Sequence, residues 1–165
     1  AAWRRGANVK VVTGPVSLPL PYGVEVVEVE TAVEMLERVT EQVPEADVSI
    51  FSAAVADYRP ADTSEDKMKR ADVGPEMTLN LVENPDVARS TRTARKAGSV
   101  AVGFALETTS LLENARSKLE SKGFDLIVAN GANEEGAGFE VDTNRVTLLG
   151  ADGEPEALPL KRPGI

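Results

Sequence analysis

The chain has 165 residues, 42% of them hydrophobic and 27% charged, with a formal net charge of −9. That is the ordinary composition of one globular domain with a real core, and its acidic balance argues against a surface that tracks nucleic acid or anionic lipid. It contains neither cysteine nor histidine, which excludes disulfides, thiolate nucleophiles, sulfur-ligated zinc, Ser-His triads and imidazole metal sites. Chemistry must then rest on Lys, Arg, Asp, Glu, Asn and backbone groups. No stretch approaches the ~20 apolar residues that span a bilayer, so no membrane partner is expected, and the missing cysteines suit a reducing cytoplasm.

Along the chain, Trp3-Arg4-Arg5-Gly6 has the pattern of a helix's last turn, cations followed by a closing glycine. An upstream strand and most of a helix are therefore expected before it. Asn8 to Thr13 and Val24 to Val29 read as short strands separated by a Pro-rich loop. Thr31, with Glu34 three residues later, is a capping box opening a helix whose buried stripe is Met35, Leu36, Val39 and Val43. Val48 to Ala54 is apolar with little alternation, the pattern of a central parallel strand covered on both faces.

A polar stretch over residues 61–74 follows, then a strand over Met77 to Val82, a helix over Asp86 to Ala97 and a strand over Ser99 to Ala105. Ser110 to Lys122 reads as a helix closed by Gly123, and Phe124 to Asn130 as a further strand. Asn144 to Leu149 and Ala157 to Leu160 flank an Asp-Gly turn and suggest a short C-terminal β-hairpin, with residues 161–165 as a tail. Strands alternating with helices at these lengths predict a single α/β domain, Rossmann-like and three-layered, with a mainly parallel sheet and helices on both faces.

Ligands of such sheets bind beyond the carboxyl ends of the strands, which directs attention to four places. Asp57, in Ala53-Ala54-Val55-Ala56-Asp57-Tyr58-Arg59-Pro60, reads equally as a hard oxygen for Mg²⁺ or as a turn aspartate. Lys67-Met68-Lys69-Arg70 reads as a phosphate clamp or as a solvated charge run. In Glu83-Asn84-Pro85-Asp86, Asp86 is an N-cap candidate, and Asn84 is free to read a base or an anion. Phe104 could stack on a base or sit in the core. Lys118 and Lys122, four apart on one helix face, suit phosphates or simply a helix C-terminus. The usual phosphate-loop signatures are absent from these 165 residues.

Taken in order, AAVADYRP, KMKR, ENPDV, GFALET, a lysine pair four apart and DLIVAN resemble phosphopantothenoylcysteine synthetase over about residues 1–160. The resemblance implies a CTP-dependent ligase of coenzyme A biosynthesis, cytoplasmic and homodimeric. The 4′-phosphopantothenate carboxylate would attack the CTP α-phosphate, releasing pyrophosphate, and the cysteine amine would then displace CMP from the acyl-cytidylate. It further implies a CTP site of Phe51, Ser52, Ala53, Asp57, Lys67, Asn84, Pro85, Asp86, Val87, Phe104, Lys118 and Lys122. Within that site Lys67 is the catalytic lysine and Asp57 lies at the metal. FMN would belong only to a decarboxylase fused upstream. The family's first strand, its glycine-rich turn and an asparagine used on the acyl-cytidylate would precede residue 1, so impaired turnover is expected of this segment alone. Two other readings use the same fold: an NAD(P)-dependent oxidoreductase, and a non-catalytic dimerising nucleotide-binding module.

Overall fold

The computed structural model describes residues 2–17, 19, 22–64, 66–69, 74–107, 110–131 and 145–159. Arg70, Thr108, Asn144, Leu160 and the 161–165 tail, all named above, lie outside the described residues.

Strands β1 (Lys10–Thr13) and β2 (Glu25–Glu28) pair in parallel as a small sheet. Helix α1 (Ala32–Gln42) follows, and its start is fixed as the capping pattern predicts: Thr31 Oγ1 accepts from the Glu34 amide at 3.1 Å. Glu34 reaches back to the Glu30 amide at 2.9 Å, one residue before the expected reciprocal partner. Met35 and Val43 are buried, and Leu36 and Val39 pack partly buried on the same cluster as Val29, Val87 and Val12.

The main sheet has the order β3-β6-β7-β8-β9, built from β3 (Val48–Phe51), β6 (Val100–Glu107), β7 (Leu126–Gly131), β8 (Thr147–Gly150) and β9 (Glu156–Ala157). It is mixed rather than mainly parallel: β3, β6 and β7 run together, whereas β7 to β8 and β8 to β9 are antiparallel. Helix α3 (Leu111–Lys122) packs on β6, β7 and β8. Ala101, Ala105, Ile127, Ala129 and Leu149 are buried with its Ala115 and Leu119, and the small residues of β6 let the helix approach closely. Gly123 ends α3 at φ 59°, a left-handed conformation that glycine takes without penalty. At Gly103 a side chain has no room, since an added Cβ would lie 2.4 Å from the Phe124 ring.

Four further expectations need correction. The strand at Val48 is not central: β3 is an edge of the main sheet, and Ile50 is 60% exposed. Nor are there helices on both faces among the described residues. The register aligns Val48 with Val100, Ile50 with Val102, and Phe104 with Val128 and Leu148 on the face opposite α3. Val48, Ile50, Val100 and Phe104 of that face are exposed.

The third correction concerns the helix expected over Asp86 to Ala97. It is only α2 (Val87–Ser90) and a 3-10 turn at Arg92–Ala94. The buried Thr91 hydroxyl donates to the Val87 carbonyl at 2.8 Å, side-chain back-bonding that competes with helix continuation in this Ser/Thr-rich stretch. Fourth, the strand expected over Met77 to Val82 is β5 (Leu81–Glu83), and it joins no parallel sheet. It pairs antiparallel with an unexpected β4 (Tyr58–Pro60), forming a separate ribbon. Pro60 is tolerated there because an edge strand can spare its N–H.

Candidate functional site

The carboxyl end of β3 releases the chain into residues 52–57, where Ser52, Ala53 and Asp57 are exposed. Opposite this loop, β5 delivers Asn84 at the entry to α2, where both ends of its side-chain amide are engaged. Its backbone N–H donates to the Asp57 carbonyl at 2.7 Å, while its side-chain Nδ2 donates to the Ala56 carbonyl at 2.9 Å and its Oδ1 accepts from Arg59 Nη1 at 3.2 Å. The same Nη1 donates to the Glu83 carbonyl at 2.7 Å. The 52–57 loop and the Asn84-Pro85-Asp86 turn are thus bound to one another.

Asp86 is the N-cap of α2, its Oδ1 accepting from the Arg89 amide at 3.1 Å. Its second oxygen lies 3.1 Å from Lys122 Nζ, so two residues expected around one nucleotide meet each other. Lys118 is half-buried one turn earlier on α3. Phe104 stands exposed on the open sheet face, available for stacking rather than locked in the core.

Other expected site residues are differently placed. The Phe51 ring packs against Phe124 with centroids 5.6 Å apart, and the Arg95 guanidinium lies 5.0 Å from its centroid. The Phe51 ring is therefore engaged in packing, though only partly buried. Val87 is buried in the α1 cluster. Lys67 is exposed in the polar excursion, and no bond among the described residues ties it to Asp57 or Asn84.

Two arginines that the sequence did not single out organise this region. Arg59 is the first. Arg95 is the second: it donates to the Gly123 carbonyl at 2.7 Å and to those of Ala88 and Lys122, and it stacks on Phe51 and Phe124. Desolvation lowers its pKa, with the nearby Asp125 carboxylate opposing the shift, but a guanidinium stays charged in such a setting. Arg59 lies inside a motif already noted; nothing in the local pattern marks Arg95.

No group of three or more metal-ligating side chains occurs among the described residues. Asp57 offers one exposed carboxylate, which does not suit an all-protein metal cage. It does fit Mg²⁺ as that ion is usually held, by one or two carboxylates together with substrate phosphates and water.

A Rossmann-like α/β sheet with its candidate crevice at a strand's carboxyl end is the class that fold and site define. The chain belongs to the DNA/pantothenate metabolism flavoprotein C-terminal domain family, whose model matches residues 1–163. It is 44% identical over 165 residues to the coenzyme A biosynthesis bifunctional protein CoaBC of Vibrio vulnificus strain CMCP6, covering 100% of this chain and 41% of that protein. It is likewise 44% identical over 163 residues to CoaBC of Escherichia coli strain K12, covering 98% of this chain and 40% of that protein. Among solved structures, the C-terminal domain of a CoaBC protein matches at 35% identity with a TM-score of 0.75, covering 96% of this chain and 68% of that one. The chain spans about two fifths of the length of these curated relatives.

Proposed function

We propose that this segment carries the nucleotide-handling part of a CTP-dependent ligase that joins 4′-phosphopantothenate to cysteine in coenzyme A biosynthesis. The observation that carries the reading is the match to the CoaBC C-terminal domain over nearly the whole chain. The bonding of Asn84 to the 56–59 segment supports it further, because it joins two of the motifs on which the resemblance rests.

In this reading Asn84, Pro85 and Asp86 border the nucleotide and Phe104 offers a face to the cytosine. The backbone of Phe51, Ser52 and Ala53 lies beside the ligand, and Lys118 and Lys122 meet phosphate or ribose. Val87 contributes through its backbone, since its side chain is buried. Lys67 stabilises charge on the α-phosphate as the pantothenate carboxylate attacks and pyrophosphate leaves, an electrostatic role that needs no proton transfer. The cysteine amine then attacks the acyl carbon and CMP departs. Asp57 would hold Mg²⁺, which when bound offsets triphosphate charge.

The same reading places the segment within one larger cytoplasmic synthetase domain. The open apolar face and the edge of β3 suit a strand and a helix supplied from upstream in the protein. A homodimer is favoured by the β4–β5 ribbon, on which Tyr58 and Leu81 are exposed, along with Met77 and Leu79 just before β5.

Calorimetry on the full-length protein tests the proposal, with CTP, ATP and NADH titrated with and without Mg²⁺. Mg²⁺-dependent preference for CTP supports the ligase. A preference for NADH would instead favour an oxidoreductase, and failure to bind any of the three would favour a non-catalytic module.

A further inference from the structure

From the geometry around Asn84 we infer that Arg59 is a positioning residue for the nucleotide site and acts through the Asn84 amide. The inference rests on the ligase reading for the placement of Asn84 beside the nucleotide and for the identity of that nucleotide.

Arg59 sits half-buried on β4, opposite Val82 in the antiparallel ribbon. One guanidinium nitrogen serves two acceptors: the Glu83 carbonyl at 2.7 Å and Asn84 Oδ1 at 3.2 Å. A guanidinium can only donate, so the atom facing it must be the amide oxygen and not the nitrogen. The Ala56 carbonyl can only accept, and it faces Nδ2 at 2.9 Å. The two contacts fix the amide from opposite ends and leave no ambiguity about which way it is turned.

An asparagine amide carries two N–H donors. The Ala56 carbonyl engages Nδ2, and the remaining donor capacity keeps a set direction because the oxygen is held by Arg59. A fixed amide donor next to a strand's carboxyl end is suited to reading an acceptor on the ligand, such as a base carbonyl, ring nitrogen or phosphate oxygen. Without Arg59 the amide retains only the Ala56 bond and can swing about it. Arg59 touches no ligand in this scheme. It is reached from the ribbon, outside the main sheet, so the ribbon and the crevice are mechanically linked.

The decisive experiment is a double-mutant cycle in the full-length protein with Arg59→Ala, Asn84→Ala and the double variant. KM and kcat are read for CTP, binding is followed by calorimetry, and Arg59→Lys serves as the conservative variant. Arg59→Ala should raise the nucleotide KM and Kd about ten-fold, the usual consequence of losing a charged hydrogen bond. KM for cysteine should not move, and Arg59→Lys should recover part of the loss. In the Asn84→Ala background, removal of Arg59 should add little, because its target is already gone. Independent effects that add in full would overturn the inference, as would equal losses toward every substrate, which mark a purely structural role. If the protein prefers another nucleotide, the ligase reading fails, yet the same cycle on that nucleotide still decides the role of Arg59.

Discussion

Lys122 Nζ lies 3.1 Å from Asp86 Oδ2, so the last residue of α3 is paired with the N-cap of α2. Asp86 therefore does two jobs that substitution can separate. Asparagine keeps a capping oxygen for the Arg89 amide but loses the ion pair, whereas alanine loses both. In urea denaturation of the full-length protein, Asp86→Asn should cost under about 1 kcal/mol and Asp86→Ala about 1 kcal/mol more. Equal losses would mean that the cap contributes nothing at so short a helix.

Arg95 is expected to dominate local stability. Its guanidinium satisfies carbonyls of Ala88, Lys122 and Gly123 and covers the Phe51 and Phe124 rings, so its removal strips partners from several groups at once. Arg95→Ala should destabilise by about 3 kcal/mol. Arg95→Lys should lie between, since an ammonium restores charge but not the planar fork or its stacking. Thermal melts of both variants check the order.

Acid should weaken the fold in part through two surface carboxylates. The hydrogen bond and charge of Lys96 hold the Asp47 carboxyl below its ordinary value of 3.8. Backbone donation from Glu30, then bonding by Thr31, lowers Glu34. A folded-state pKa below the unfolded one means stability that is present above the ordinary carboxylate range and lost as pH falls through the depressed value. Asp47→Asn and Glu34→Gln should therefore flatten the loss of urea resistance between neutral pH and pH ~3. An unchanged acid limb would show that both contacts are too exposed to count.

For catalysis, Lys67→Gln in the full-length protein should leave the melting temperature unchanged, since Lys67 is exposed. It should lower kcat for acyl-cytidylate formation at least a hundred-fold, the scale of one lost transition-state donor. Single-turnover release of pyrophosphate measures this, and wild-type release would remove Lys67 from the catalytic list.

How much of this was readable beforehand varied with the range of the interaction. The Thr31 cap, the α1 stripe and the stop at Gly123 are local patterns, and they lie where the sequence puts them. The edge position of β3 was not readable, because an apolar run such as Val48 to Phe51 looks the same at an edge as in the middle of a sheet. The β4 strand was hidden because Tyr58-Arg59-Pro60 acquires strand character only from β5, across the polar excursion. Within the candidate site, Asn84 and Asp86 drew notice as residues at a strand exit. The part played by Arg59 depends on a partner 25 residues away, and no local pattern reports such a pairing.

The pairing of Val48 with Val100 has a consequence for how this fold can change over evolutionary time. Residues 52–99 leave the main sheet at the carboxyl end of β3 and cross over to re-enter it at the amino end of β6. Lengthening such an excursion costs only about 0.6 kcal/mol per doubling. The candidate site loops and the ribbon can therefore gain or lose residues while β3 and β6 keep their register.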